Sequence, residues 1–145
     1  MMRTNAAIAV MAFAAFCFAQ AQAHAAMPAH KLACPATAPA DWHLPGDAPL
    51  TEVALLSAKD GETIDEVYRP TLVPDNGFAR GKTWHNSWTL PVEPGWSYFI
   101  DCQYRGAPQI LRLKANGLSR CEQTATPYDK KKGVSESAVQ TMVCD

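Results

Sequence analysis

Hydrophobic and polar residues alternate most regularly along residues 97–104. The side chains fall into two sets with a period of two, which is the pattern of a strand with one buried face. One set contains Tyr98, Ile100, Cys102 and Tyr104, and the other contains Ser97, Phe99, Asp101 and Gln103.

Two turns extend this pattern into three predicted strands. The sequence RGAP at 105–108 ends the first strand, and Asn116-Gly117 is typical of a two-residue hairpin turn. Strand-forming residues follow at 119–126, so the pattern predicts an antiparallel meander over 96–126. One face of the meander is expected to be charged. The other face is expected to be half-buried and to carry Ile100, Cys102, Tyr104, Leu111, Leu113 and Cys121.

The segments before the meander carry further strand and turn signals. An apolar run at 53–56 predicts a strand that ends in an Asp-Gly turn, and a second strand is predicted from Thr63 to Tyr68. The sequence PDNG at 74–77 is a strong turn signal, and residues 82–92 are again rich in strand formers.

The last segment, residues 134–145, fits either a short helix or a closing strand, and the strand is favoured. If it folds back on residues 119–126 around a loop near Lys132, the numbers of facing residues add up to about 265. Cys121 and Cys144 satisfy that sum, so they are expected to face each other.

The first 50 residues differ from the rest of the chain in their composition and residue pattern. Residues 1–25 combine a basic residue, a 14-residue apolar run and alternating small residues. This is the pattern of a secretory signal peptide, cleaved after Ala25 in preference to Ala23. Residues 26–50 contain five prolines and are expected to form an extended, irregular arm. Residues 51–145 are expected to form a single β-rich domain.

Composition narrows the class of protein. The 145-residue chain is 48% hydrophobic and 19% charged, with a formal net charge of −1. These values exclude a disordered chain, and so small a net charge does not favour binding to nucleic acid or to an acidic membrane surface. Together with the strand and turn pattern they predict a mainly β protein, built as a small antiparallel sheet or sandwich.

The cysteines predict covalent cross-links. Cys17 lies in the signal peptide, and an even number of cysteines in the remaining exported chain argues for two disulfides. No C-x-x-C pair is present, which excludes a thioredoxin-like redox site and a zinc ribbon. The register above favours Cys121 with Cys144, which leaves Cys34 with Cys102, while two other connectivities stay open. The four predicted disulfide cysteines are Cys34, Cys102, Cys121 and Cys144.

No motif for catalysis or cofactor binding is present. The chain lacks a G-x-S-x-G nucleophile turn, and His30, His43 and His85 are not spaced as metal ligands. The acidic stretch at 60–66 has its glycine in the wrong position for a calcium loop. We therefore expect a protein that is not an enzyme and that has no metal and no cofactor.

Tryptophans and lysines supply the candidate binding residues. Trp84 and Trp88 share one face of a strand and His85 lies on the other. Trp88 continues into an apolar strand and is expected in the core, whereas Trp84, beside a turn, is expected to face outward. The lysines at 130–132 form either a solvated loop tip or a basic prong for an acidic cleft. The candidate partner-binding residues are Trp84, His85, Lys130, Lys131 and Lys132.

Several short motifs are spread over most of the chain after the signal peptide. They are Cys34-Pro35, a Pro-rich lead into Trp42, Leu72-x-Pro74-Asp75, a strand around Trp88, Cys102-x-Tyr104 and Cys121. In these motifs the chain resembles a family of small exported proteobacterial proteins of unknown function. The resemblance implies a periplasmic location and a compact β-rich fold, and it assigns no catalytic residue.

Two functions fit these features. The first is a periplasmic or secreted envelope interaction protein, such as an inhibitor or immunity protein of an enzyme that attacks the cell wall or membrane. Small size, export, disulfides and missing catalytic motifs favour it. The alternative is a small-ligand or glycan-binding module of the periplasm that uses Trp84, Trp88 and Trp96. Neither function involves nucleic acid or insertion into a membrane after signal cleavage.

Overall fold

A computed structural model describes residues 31–44, 46–65 and 68–145. Within these ranges the chain forms two antiparallel sheets and one short 3-10 turn, Ala40–Trp42, and it contains no α-helix. The predicted signal peptide lies outside the described residues. The strands are β1 (Leu32–Ala33), β2 (Leu50–Lys59), β3 (Asn76–Arg80), β4 (Thr83–Thr89), β5 (Trp96–Tyr104), β6 (Ile110–Lys114), β7 (Arg120–Asp129) and β8 (Gly133–Cys144).

The two sheets share one hydrophobic core, so the predicted mainly β class is confirmed. The larger sheet has the order β1-β8-β7-β4-β3, and the smaller has the order β2-β5-β6. Residues of both sheets belong to the same buried cluster. Its large members include Leu50, Leu55, Trp88, Ile100, Tyr104 and Met142.

The C-terminal segment is a strand, as favoured. Buried Ala138, Met142 and Cys144 alternate with exposed residues along β8, because a strand with one buried face has a period of two. In the β7–β8 ladder Cys121 faces Cys144, and the two cysteines form a disulfide. The register argument is confirmed.

The predicted meander is right for its first hairpin and wrong for its third strand. β5 pairs with β6, but β7 belongs to the larger sheet and pairs with β4 and β8. The side chain of Asn116 accepts a hydrogen bond from the Tyr98 N–H at 2.9 Å, so Asn116-Gly117 ends the β5–β6 pairing. The chain then crosses to the other sheet, where Cys121 lies opposite Trp88 and both are buried.

The predicted strand from Thr63 to Tyr68 is absent from the described part of that range. The chain instead runs back beside the free edge of β2, where Leu72 N–H donates to the Leu55 carbonyl at 2.8 Å. Pro70 helps to set this path, because its carbonyl accepts from Ser57 N–H and its ring nitrogen has no hydrogen to donate. The described residues between β2 and β3, 60–65 and 68–75, therefore cover the smaller sheet, and we call them the cover segment.

This cover buries part of the second face of 96–126, which carries the expected charged residues, among them Asp101 and Arg112. Leu56 lies on that face and is fully buried. Asp101, on the same face of β5, is only 1% exposed. Arg112 donates to both Asp101 carboxylate oxygens, at 2.7 and 2.8 Å, and Arg69 of the cover segment lies 3.3 Å from Oδ2. Asp101 thus ties the cover segment to β6.

The described part of the Pro-rich arm is more ordered than its prolines indicate. β1 pairs with the end of β8, and Cys34 forms a disulfide with Cys102 of β5, which confirms the second predicted pair. Tyr104 donates its hydroxyl to the Pro35 carbonyl at 3.0 Å, and Trp42 packs edge-on against the Tyr104 ring. Burial also raises the pKa of the Tyr104 hydroxyl. The arm is therefore fastened to both sheets.

Peptide mapping under non-reducing conditions should recover two linked peptide pairs, Cys34 with Cys102 and Cys121 with Cys144. Thiol titration of the denatured protein without its predicted signal peptide should detect no free thiol, because all four of these cysteines are paired. A peptide linking Cys102 to Cys121 would contradict the sheet pairing described above.

The disulfides indicate an oxidising, extracytoplasmic compartment. Among the described residues there is no apolar helix of membrane-spanning length.

Candidate functional site

The lysines at 130–132, expected as either a solvated loop tip or a basic prong, lie beside a second basic turn. The β7–β8 turn at 129–133 and the β3–β4 turn at 80–83 are held together at one end of the larger sheet. Tyr128 N–H donates to the Lys82 carbonyl at 2.7 Å, and the Thr83 and Thr126 hydroxyls are 3.0 Å apart. We call the exposed cationic residues of these two turns the basic tip. They are Arg80, Lys82, Lys130, Lys131 and Lys132.

The backbone of the basic tip is fixed by local hydrogen bonds. Asp129 Oδ1 accepts the N–H groups of Lys131 and Lys132 at 2.8 and 3.0 Å. Gly133 completes the turn with a φ of 81°, a conformation that other residues adopt only with strain. The lysine side chains take no part in these bonds and stay available for a partner.

The basic tip concentrates positive charge on an otherwise acidic chain. It holds five of the 13 lysines and arginines, yet the whole chain has a net charge of −1. Among the described residues no carboxylate forms an ion pair with any of the five cations. Because these charges are exposed, they create a local positive potential that salt will screen.

Trp84 lies beside the basic tip, but the structure places it differently from the prediction. It lies on the same inner face of β4 as Trp88. Its side chain is half-buried next to the core, and not exposed on the outer face as predicted. Its ring lies 5.0 Å from that of Tyr128, and a Cβ on Gly77 would come within 2.9 Å of its Cζ2 atom. Gly77 is therefore needed for the indole to lie across β3.

A row of amide side chains, which sequence reasoning missed, orients this indole. Trp84 Nε1 donates to Asn86 at 2.9 Å, Asn86 donates to Gln123 at 2.9 Å, and Gln123 donates to Gln140 at 2.7 Å. Gln140 in turn donates to the Thr51 carbonyl of the smaller sheet. The only sequence signal was the polar residues at inward positions of three strands. The row links the two sheets and holds Trp84 in place.

His85 lies on the opposite face of the sheet from Trp84. Its ring stacks on Phe78 of β3, with centroids 5.0 Å apart and planes within 8° of parallel. Phe78 is 54% exposed. The two candidate binding residues Trp84 and His85 therefore lie on opposite faces of the sheet, as expected, and do not form one contact surface. Of the two, Trp84 is the residue that adjoins the basic tip, through Tyr128.

A groove with aromatic lining lies at the other end of β4. It opens at the end of the space between the sheets and has a volume of about 240 Å³. Trp88 of the larger sheet and two aromatic residues of β5, Trp96 and Tyr98, line it together with Asp75 and Glu93. The sequence shows each of these residues, but it does not show that two different sheets bring them together.

Within the described ranges, no three or more histidine, cysteine, aspartate or glutamate side chains are grouped closely enough to bind a metal ion. No protein-family model, curated protein or solved structure matches the chain.

Proposed function

We propose that the protein is a periplasmic or secreted binding protein whose basic tip engages an acidic surface of a protein partner in the cell envelope. The type of partner that fits best is an enzyme with an acidic cleft, which the protein would inhibit or to which it would confer immunity. The observation that supports this proposal is the juxtaposition of two turns. It gathers five cations that form no ion pair with a carboxylate in the described part of the chain.

The basic tip has the fixed backbone of a recognition element and is not a flexible loop. Its backbone is fixed by Asp129 and by the Tyr128–Lys82 hydrogen bond, so little backbone entropy is lost on binding. Its charges favour rapid encounter with an acidic partner. Trp84 and Tyr128 add aromatic surface beside the charges, as is common at the centre of protein interfaces.

The alternative function, a small-ligand or glycan-binding module, draws support from a separate observation. The groove at the far end of β4 presents three aromatic rings, whereas the tryptophan strip expected for stacking does not exist as one surface. Trp84 and Trp88 share a face of β4, but Trp88 is only 6% exposed and donates its indole N–H to the Leu72 carbonyl.

Reversing two charges of the basic tip should abolish most of the partner binding. In Lys131→Glu/Lys132→Glu the turn should persist, because Asp129 binds the backbone N–H groups and not the lysine side chains. The partner is first captured from an envelope extract on the wild-type protein and then purified. Titration calorimetry should show at least a tenfold weaker affinity for the double variant, roughly 1.4 kcal/mol. Wild-type affinity should fall as salt rises.

The matched control is Lys31→Glu/Lys114→Glu, which makes the same change of net charge at two exposed lysines away from the basic tip. This control should bind within twofold of wild type. An equal loss in both double variants would show that total charge, and not the basic tip, governs binding. If the captured partner is an enzyme, its hydrolysis of peptidoglycan or phospholipid should fall when the wild-type protein is added.

A further inference from the structure

The groove between the two sheets is built mainly from aromatic and aliphatic side chains. Trp88 is held by its indole hydrogen bond to the Leu72 carbonyl at 3.2 Å. Tyr98 is buried, and its hydroxyl makes no hydrogen bond with any other described residue. Trp96 is half-buried at the start of β5. Trp88 and Tyr98 are each only 6% exposed, so Trp96 is the most accessible of the three rings.

The charged side chains that line the groove are acidic. Asp75 and Glu93 line it, and among the described residues no lysine, arginine or histidine does. Asp75 Oδ2 accepts the Thr89 N–H at 2.6 Å, which fixes that carboxylate at one wall. Burial, and secondarily the charge of Glu93, raise the pKa of Tyr98.

A cation of the chain itself, Lys59, lies near one of these rings. Lys59 Nζ lies 6.0 Å from the Trp96 ring centroid, at the outer limit of a cation–π contact. The ring is therefore placed so that an ammonium group can approach it.

We infer that this groove binds a quaternary ammonium group, as carried by choline-type ligands. Three aromatic rings and two carboxylates are the chemistry that recognises such a cation, which cannot donate hydrogen bonds and buries its methyl groups against rings. A lysine-type ammonium fits less well, because it is compact, strongly hydrated and needs several directed acceptors. The volume of about 240 Å³ accommodates one small head group. The inference does not depend on the basic tip, which lies at the opposite end of β4.

The test uses three small probes and the chain without its predicted signal peptide. Choline should shift the indole N–H resonances of Trp88 and Trp96 in a saturable manner in two-dimensional NMR. The neutral isostere 3,3-dimethyl-1-butanol and the primary amine butylammonium should bind at least fivefold more weakly. Equal binding of the neutral isostere would overturn the inference, because the groove would then be merely apolar. Equal binding of butylammonium would overturn the assignment to a quaternary group.

Two variants locate the site. Glu93→Gln removes an exposed charge and should weaken choline binding about fivefold. The control Glu52→Gln makes the same change at an exposed position of β2 outside the groove and should leave binding unchanged. Lys131→Glu/Lys132→Glu should bind choline as wild type does, so failure here is distinct from failure at the basic tip. Shifts confined to residues outside the groove, equal effects of the two glutamine variants, or no saturable shift would each refute the inference.

Discussion

Asp101→Asn should lower the free energy of unfolding by about 3 kcal/mol, which corresponds to a fall in Tm of roughly 10 °C or more. Both Asp101 oxygens accept hydrogen bonds from Arg112. An asparagine keeps one acceptor and turns an amide N–H₂ toward the second guanidinium donor. The carboxylate is 1% exposed, so water cannot replace the lost partner there. The arginine side chains are about one-third exposed, which places the cost at the lower end for a broken buried pair.

Urea denaturation followed by tryptophan fluorescence measures this difference. Glu122→Gln is the matched control, because Glu122 forms an ion pair with Arg120 at 2.7 Å in which both side chains are about 60% exposed. Exposed pairs contribute roughly 0–1 kcal/mol, so the control should lose less than about 1 kcal/mol. Comparable stabilities for the two variants would mean that Asp101 does not hold the cover segment.

Arg112 links this three-residue cluster to the chain that precedes Arg69. Its hydrogen bond to Asp101 and the attraction of that carboxylate raise the pKa of Arg112, although burial acts in the opposite direction. Arg112 also donates to the Ile64 carbonyl at 2.8 Å. Hydrogen exchange in peptides covering 62–72 should therefore accelerate in Asp101→Asn, since Asp101 binds Arg69 directly and orients Arg112, which donates to the Ile64 carbonyl.

The sequence contains enough information for local pairings and too little for the order of the sheets. Along β7 and β8 a single register satisfies both the alternation of buried residues and the meeting of Cys121 with Cys144, so it could be derived. Asn116-Gly117 gives the signal of a hairpin whether the next strand stays in the sheet or leaves it. The crossing after β6 depends on long-range burial of Cys121 against Trp88, which no local pattern encodes.

The candidate site was predictable in a similar, partial way. Lys130, Lys131 and Lys132 stand out as a charge run, and they are exposed on a turn. That Lys82 joins them follows from the pairing of β4 with β7, which the sequence did not indicate. Burial of Asp101 was equally hidden, because its covering arginine, Arg69, comes from a segment that has no regular strand.

Trp88→Ala should cost about 4 kcal/mol of unfolding free energy, the cost of removing a large buried ring from a core. Trp88 is 6% exposed and belongs to the cluster that joins the two sheets. Its loss also removes the donor to the Leu72 carbonyl, which positions the end of the cover segment. Because natural domains of this size are stable by roughly 5–15 kcal/mol, the variant should be near the limit of folding.

Trp84→Ala is the matched control for Trp88→Ala. Trp84 is half-buried and loses one tilted contact with Tyr128 and one hydrogen bond to Asn86, so about 1.5 kcal/mol should be lost. Both changes remove an indole from the same face of β4, so a difference of more than 2 kcal/mol between them reports burial and not residue type. If urea midpoints show Trp88→Ala to be no worse than Trp84→Ala, the core does not extend to the end of β4. In that case Trp88 is not a rigid wall of the aromatic groove.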